Sequence, residues 1–377
     1  MRKCKVLFQV FLLALAGSFY FNYVNAQATF PVNGIANPTN GAYAFINATI
    51  VKDANNTIAN ATLLIRNKKI VAVGKNISIP KDAVIIDCKG KFIYPSFIDL
   101  YSDYGMTATQ RTSQGFNPFS SPQITSNTKG AVGWNQAIKP EVNAAALFDA
   151  NDNDAKTLRD AGFGTVLTHQ KDGIARGTGA FITLANQPDN FVMLKEKASA
   201  QYSFSKGSST QSYPTSLMGV IALLRQTYLD AAWYQNKPAE EGKNISLEAW
   251  NNEQSLPQIF EANDKWNCLR ADRIANEFGV KYILKAGGNE YQRIKEMAAT
   301  KATFILPLDF PKGMDVEDPN DARYVALADM KHWEMAPGNP AAFEKENITF
   351  CLTADGLKDA KTFWANLHKA LNAGLSE

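Results

Sequence analysis

The sequence has 377 residues, of which 45% are hydrophobic and 20% are charged, a composition typical of globular proteins and unlike that of disordered chains. Its formal net charge is +3, and three basic residues lie in the first five positions, so 36 basic and 36 acidic residues follow. This balance, without any basic cluster, excludes a charge-based prediction of binding to nucleic acid or anionic membranes.

Residues 1–26 have the features of a secretory signal peptide. A basic start precedes the apolar run of residues 6–16, and Val24-Asn25-Ala26 is a small-residue cleavage site. The alternative is an uncleaved membrane anchor, but the apolar run is shorter than the roughly 20 residues that a spanning helix needs. We therefore expect cleavage, a secreted or periplasmic (cell-envelope) location, and no membrane attachment afterwards.

Three cysteines follow the signal: Cys88, Cys268 and Cys351. They are far apart and set in apolar surroundings, which predicts buried thiols, although one disulfide in an exported protein stays open. No Cys or His spacing indicates structural zinc.

The chain after the signal begins with a lead-in at residues 27–43 that is rich in Pro, Asn and Gly. Alternating apolar residues then predict a half-exposed antiparallel sheet, with strands at Ala44–Val51, Ala61–Ile65 and Lys69–Gly74. A further apolar strand, Phe92–Leu100, contains Pro95. The segment Thr107–Gly133 has no clear period and is expected to be a long loop.

The remainder alternates between helical and strand patterns, which favours a parallel α/β architecture. A doubly wound sheet is the alternative, but no Gly-rich phosphate loop follows an early strand. The predicted helices are Ala144–Ala161, Ser216–Tyr234, Leu269–Phe278, Tyr291–Ala299 and Lys358–Ala373. The predicted strands are Thr165–Thr168, Gly177–Leu184, Ile259–Phe260, Tyr282–Leu284, Thr303–Leu308 and Thr349–Gly356.

The passage Gly90-Lys91-Phe92-Ile93-Tyr94-Pro95-Ser96-Phe97-Ile98-Asp99-Leu100-Tyr101-Ser102-Asp103 resembles the amidohydrolase superfamily, particularly its imidazolonepropionase-like branch. The family pattern reads G-K-x-[ILV]-x-P-G-[FL]-[IV]-D-x-H-x-H. The resemblance implies a partial β-sandwich at residues 44–91 and a (β/α)8 TIM-type barrel at residues 92–377. Ser96 replaces the glycine, and Tyr101 and Asp103 replace the two histidines.

Family members hold one or two divalent metals with histidines after strands 1, 5 and 6 and an aspartate after strand 8. By resemblance, Glu261 stands at the strand-5 position, Lys285 at the strand-6 position, and Asp355 keeps the strand-8 aspartate as the catalytic residue. The whole chain has only three histidines. Of these, His169 follows a strand closely enough to be considered, although a surface or structural role is the commoner one for such a residue.

Two interpretations of the site stay open. In one, Asp103, Glu261 and Asp355 hold one divalent ion of the Mg²⁺, Ca²⁺ or Mn²⁺ type. In the other, Lys285 neutralises Glu261 or Asp355 and leaves a salt-bridged pocket without a metal. The cofactor is thus none or one divalent metal ion. His169, Lys285 and Tyr101 are the predicted substrate-binding residues.

We expect an exported amidohydrolase-like protein, by family implication a hydrolase of C–N bonds in cyclic amide or peptide-like compounds, whose own metal site is degenerate. Because the family's closing elements are not found before Glu377, the expected partner is a downstream hydrolase module of the same longer chain. An active hydrolase with a carboxylate-held metal is one alternative. A non-catalytic envelope module, binding a small-molecule or peptide-like ligand at the barrel mouth and the Thr107–Gly133 loop, is the other.

Overall fold

The structure, a computed structural model, describes residues 41–109, 122–237, 242–357 and 359–376. The predicted signal peptide and nearly all of the lead-in lie outside these residues, as does part of the Thr107–Gly133 loop. The chain divides into one compact unit that ends at Pro95 and a second that begins at Ser96. None of the helices in the described ranges is both long enough and apolar enough to cross a membrane.

The first unit is a five-stranded sheet with the order β3-β2-β1-β4, in which β5 also pairs with β1. Hairpins join the antiparallel strands β1, β2 and β3, and β4 and β5 run parallel to β1. The described residues of this unit form one layer, so the β-sandwich stays a prediction. The strands are β1 (Ala42–Asp53), β2 (Asn56–Arg66), β3 (Lys69–Gly74), β4 (Ala83–Asp87) and β5 (Phe92–Ile93).

The second unit is built on an eight-stranded sheet in which β6 to β13 follow one another in chain order. The first and last of these strands also contact each other. There the Thr353 hydroxyl donates to the Tyr101 carbonyl at 3.2 Å. The strands are β6 (Phe97–Ser102), β7 (Phe163–Thr168), β8 (Ala175–Thr183), β9 (Met193–Ser203), β10 (Gln258–Glu261), β11 (Tyr282–Lys285), β12 (Thr303–Pro307) and β13 (Phe350–Thr353).

Strand β8 corrects the prediction of strict strand–helix alternation. It pairs antiparallel with both β7 and β9, whereas the other neighbours in this sheet are parallel. The β7–β8 connection is too short for a crossover helix, which a parallel pair requires, so the chain turns back directly. As a result, β8 begins at the edge of the sheet where its neighbours β7 and β9 end.

Eleven helices lie in the described part of the second unit, and side-chain caps define several of their starts. Asn143 and Asn151 each accept backbone N–H groups, so the predicted helix Ala144–Ala161 forms as two pieces. The helices are α1 (Ala144–Leu147), α2 (Asp152–Asp160), α3 (Asp189–Val192), α4 (Leu217–Gln235), α5 (Ile245–Glu253), α6 (Lys265–Phe278), α7 (Ile294–Thr300), α8 (Pro319–Ala322), α9 (Leu327–Met335), α10 (Asn339–Lys345) and α11 (Ala360–Asn372).

The core of the second unit lies between the sheet and its helices. Aromatic residues from β9, β10 and β12 are almost fully buried there, namely Tyr202, Phe260 and Phe304. In the described part of the chain the three cysteines are free thiols; Cys88 and Cys268 are buried and Cys351 is partly buried. The prediction of core thiols is confirmed, with Cys351 less enclosed than expected.

Candidate functional site

Charged side chains meet at the edge of the eight-stranded sheet where its parallel strands end, here called the rim. The register aligns Ser102 with Thr168 and Glu261 with Lys285, so the residues that follow these strand ends share one edge. The antiparallel β8 starts at this edge and brings Arg176 to it. We call the resulting group the rim network: Tyr101, Asp103, Lys171, Arg176, Glu261, Lys285 and Asp355.

Arg176 organises one half of the rim network. Its guanidinium lies 2.6 Å from a Glu261 carboxylate oxygen and donates to the Tyr101 hydroxyl at 2.9 Å. It also donates to the Gly173 carbonyl at 3.1 Å. Because Arg176 is only 3% exposed, these contacts satisfy a charge that water scarcely reaches.

Asp355 organises the other half. One of its carboxylate oxygens lies 2.5 Å from the Lys171 ammonium, and the other lies 2.9 Å from the Lys285 ammonium. Both ammonium groups also lie about 5 Å from the centre of the Tyr101 ring, within the range of a cation–π contact. Lys171 further contacts the exposed Asp103 at 3.3 Å. The predicted ion pair between Lys285 and Asp355 is therefore present.

Burial and pairing act in opposite directions on the acids of the network. Burial alone would raise the pKa of Asp355, but Lys171 and Lys285 outweigh it, so the pKa lies below its ordinary value. Burial likewise acts to raise the pKa of Glu261, and Arg176 and then Lys285 lower it overall. The carboxylates are consequently ionised at neutral pH and balanced by the cations.

The basic partners show the complementary effect. Burial acts to lower the pKa of Lys171, but Asp355 and Asp103 raise it overall. Burial also acts to lower the pKa of Arg176, and Tyr101 and Glu261 raise it. Both side chains stay protonated at neutral pH. Lys171 and Arg176 therefore act as the cations of ion pairs, and neither is available as a base.

His169 is fully buried beside the network, and its expected contact with substrate stays a prediction. Its ring packs edge-on against Tyr101 with the centroids 4.8 Å apart. Neither ring nitrogen has a hydrogen-bond partner among the described residues. Burial, followed by the charges of Arg176 and Lys171, holds the pKa of His169 well below its usual range, so the imidazole is neutral.

Asp99, the acid that matches the family pattern, holds two strand ends together. Its two carboxylate oxygens accept the backbone N–H groups of Tyr101 and Ala354, each at 3.0 Å. These bonds join the end of β6 to the end of β13. Burial raises the pKa of Asp99 to about 6, and the surrounding hydrogen bonds oppose this rise.

A cleft of about 490 Å³ opens on one side of the rim, and we call it the rim cleft. Tyr101, Asp103 and Asp355 line it, whereas His169 and Lys285 do not. Its walls come from the ends of β6 and β13 and from α2 and the residues before it. The remaining lining residues are Asp99, Ser102, Tyr104, Gly105, Met106, Thr107, Asp149, Asn151, Asp154, Thr157, Leu158, Ala354, Gly356 and Leu357.

The residues present do not fit the divalent metal that the family resemblance implies. In the described residues no group of three or more His, Cys, Asp or Glu side chains is placed to hold a metal ion. Both oxygens of Asp355 face ammonium groups, and Glu261 faces a guanidinium. Each acid of the expected cluster Asp103, Glu261 and Asp355 has a cationic partner, and their role as metal ligands stays a prediction.

Sequence reasoning missed Lys171 and Arg176, which supply much of the rim's positive charge. Lys171 follows His169 by two positions after a predicted strand, and Arg176 precedes the predicted strand Gly177–Leu184. The sequence places both residues next to predicted strand ends, and this was the feature that could have identified them. It became meaningful only with the reversed direction of β8, because Arg176 would otherwise start at the opposite edge.

The second unit has a mixed α/β fold, and comparison with solved structures finds a similar fold in an amidohydrolase. An amidohydrolase from Thermotoga maritima MSB8 is 22% identical, with 89% of this chain and 84% of that one covered and a TM-score of 0.65. The match establishes the fold, and the sequence-based resemblance to amidohydrolases is confirmed at that level.

Two more distant structures are a prolidase complexed with N-methylphosphonate-L-proline and a dihydroorotase. The prolidase is 12% identical over 88% of this chain and 84% of its own, with a TM-score of 0.44. The dihydroorotase is 12% identical over 89% of this chain and 79% of its own, with a TM-score of 0.39. Neither the family models nor the curated proteins searched match the chain.

Proposed function

We propose that this chain is an exported amidohydrolase-fold protein in which protein cations have replaced the metal centre. In this proposal β6 to β13 close into a barrel, and the rim serves as a metal-independent module that binds a small-molecule or peptide-like ligand. Hydrolysis of a C–N bond, the chemistry that the family resemblance implies, then belongs to a partner hydrolase module. The predicted secretory signal supports the exported location.

The observation that carries the proposal is the position of Lys171 and Lys285 on the two oxygens of Asp355. An ammonium group repels a unit positive charge about 4 Å away by about 4 kcal/mol at an effective dielectric constant near 20, and a divalent ion by about twice that. A metal at Asp355 would have to overcome this repulsion or displace both lysines. The two ion pairs therefore oppose the binding of a divalent ion at Asp355.

The rim cleft supports a binding role. Asp103 is well exposed, and Tyr101, although only 1% exposed, lines the cleft beside two cations. Met106, Leu158 and Leu357 add apolar surface. A ligand with both an apolar part and a polar amide or carboxylate group matches these side chains. The proposal therefore places ligand contacts at Tyr101 and Asp103 and assigns Lys171 and Lys285 to positioning Asp355.

Metal uptake tests the proposal directly. The purified chain is incubated with Zn²⁺, Mn²⁺ or Mg²⁺, desalted without chelators, and analysed by elemental mass spectrometry. We expect far less than one metal per chain. A Tyr101→His/Asp103→His variant asks whether the family's histidines alone restore uptake, and Lys171→Gln/Lys285→Gln asks whether the ammonium groups prevent it.

Near-stoichiometric metal in the unmodified chain, accompanied by metal-dependent hydrolysis of a cyclic amide or dipeptide, would overturn the proposal in favour of the carboxylate-held metal. Uptake that rises only when both lysines are replaced would support it, because only the lysine charges would then have changed. The Arg225→Gln variant is a matched control, since it removes a cation from an exposed ion pair far along the chain on α4.

A further inference from the structure

A pocket of about 270 Å³ lies on the second unit away from the residues of the rim network. The segment before α1, the middle of β8 and β9, and helix α5 form its walls. Its lining combines an apolar part with two unusual acids, Glu141 and Glu253. The full lining is Pro140, Glu141, Val142, Asn143, Thr178, Lys197, Ile245, Glu248, Ala249, Asn252, Glu253 and Leu256.

Glu253 is the anomaly in this pocket. It is only 6% exposed, and its carboxyl group makes no hydrogen bond or ion pair with a described residue. It is also the last residue of α5, where the helix dipole places partial negative charge. An unpaired carboxylate at such a point is destabilised both by burial and by the helix end.

Glu141, which also lines the pocket, likewise has a carboxylate oxygen without a partner in the described part of the chain. Its Oε2 atom is buried and has no hydrogen-bond partner among the described residues. The third acid, Glu248, differs because Lys243 lies 3.3 Å away and the Tyr234 hydroxyl donates to it at 3.2 Å. Glu141 and Glu253 are therefore the acids with unused acceptor capacity.

Besides burial, two charged side chains of the pocket act on the pKa of Glu253: Lys197 and Glu141. Burial raises the pKa of Glu253 to about 8, Lys197 on β9 opposes the rise, and Glu141 adds to it. Lys197 is exposed at the edge of the pocket and makes no ion pair with either acid. Two acidic groups and one basic group thus line the cavity.

We propose that this pocket binds the protonated amino group of a primary alkyl amine between Glu141 and Glu253. An ammonium group has three N–H donors, which match the free oxygens of two carboxylates. The side chains of Val142, Ile245, Ala249 and Leu256 give the attached alkyl chain an apolar wall. Because Lys197 would repel a second ammonium group at the opening, a monoamine fits better than a diamine.

Calorimetric titration with n-butylamine tests the assignment, with n-butanol as a neutral ligand of the same length. We expect saturable binding of the amine alone, and tighter binding as the pH rises from about 7 to about 9. Over that interval Glu253 loses its proton while an alkylammonium, with a pKa near that of lysine at about 10.4, keeps its charge. Glu253→Gln and Glu141→Gln should each weaken binding by about tenfold or more.

The matched control is Glu346→Gln, which removes an exposed acid outside the pocket and should leave amine binding unchanged. Equal binding of n-butanol, or binding that survives Glu253→Gln, would overturn the proposal. Amine binding seen only in Lys197→Gln would also overturn it, since the chain's own lysine would then fill the site. Heat from CaCl₂ but not from n-butylamine would reassign the acids to a metal ion.

Discussion

The ion pair between Arg176 and Glu261 allows a quantitative test of the rim network. The two side chains are 4% and 15% exposed, so Arg176→Met leaves Glu261 as a largely buried, unpaired carboxylate. Breaking a buried pair from one side typically costs about 3–5 kcal/mol of unfolding free energy. Lys285 also lowers the pKa of Glu261, after Arg176, and retains part of the compensation. We therefore expect a loss of about 3 kcal/mol.

Replacing both partners should cost much less than the sum of the single changes. Arg176→Met/Glu261→Leu removes both charges, and apolar replacement of buried ion pairs is often close to neutral in stability. We expect the double variant to lie within about 2 kcal/mol of the parent, which is less than the loss expected for Arg176→Met alone, so the two positions should be energetically coupled. The carbonyl of Gly173 keeps a donor in the Ser203 hydroxyl, so its loss from Arg176 should add little.

Urea unfolding followed by tryptophan fluorescence measures the free energy of unfolding of the unit that contains the rim network. All six tryptophans lie after Ser96, so the signal reports on the eight-stranded unit alone. The Arg225→Gln variant again serves as the exposed-pair control and should cost less than about 1 kcal/mol. Additive costs for the two single changes, or a loss below about 1 kcal/mol in Arg176→Met, would refute the description of the rim as a buried ion network.

Three further predictions concern single positions. The pKa of Asp355 in the folded state is lowered from 3.8, so its stabilisation should be complete above that value and decline as the pH falls below it. A parent-to-Asp355→Asn difference in urea midpoint that does not shrink at all between about pH 4 and about pH 2 would contradict the pairing. Gly177→Ala should lower the melting temperature by several degrees, because φ is +76° there and the added methyl would overlap the Val142 carbonyl. Gly242→Ala, where the added methyl meets open space, should not lower it. Equal shifts in melting temperature for the two variants would contradict the steric explanation. His169→Phe should change the unfolding free energy by less than about 1 kcal/mol although the side chain is fully buried, because neither ring nitrogen has a hydrogen-bond partner among the described residues. A loss above about 3 kcal/mol in urea unfolding would contradict this and indicate that the ring does make a hydrogen bond.

Local sequence signals located most strands and several helices, because burial pattern and capping act over a few residues. The pattern of Lys69–Gly74 predicted β3 with the observed bounds, and Ser216–Tyr234 nearly coincides with α4. Failures have local causes as well. Strand β9 was missed because its first half, with Leu194 and two lysines, is exposed and has no apolar alternation.

The strand Phe92–Leu100 shows the limit of reading one segment at a time. Pro95 cannot donate a ladder hydrogen bond, so pairing stops there, and the segment becomes β5 and β6 in two different sheets. The sequence contained the breaking residue, but the sheet that each half joins depends on strands far away in the chain. Partner choice is a tertiary property.

The sequence by itself determined the strand and helix content, the resemblance to amidohydrolases, and the replacement of the strand-1 histidines by Tyr101 and Asp103, because these depend on residue identity and short-range pattern. Only the tertiary structure decided which charges neutralise one another. Lys171 and Asp355 are separated by 184 positions and meet at 2.5 Å, and Arg176 reaches Glu261 because β8 reverses direction. Electrostatic energy depends on distance in space and on exclusion of water, and neither can be read from distance along the chain.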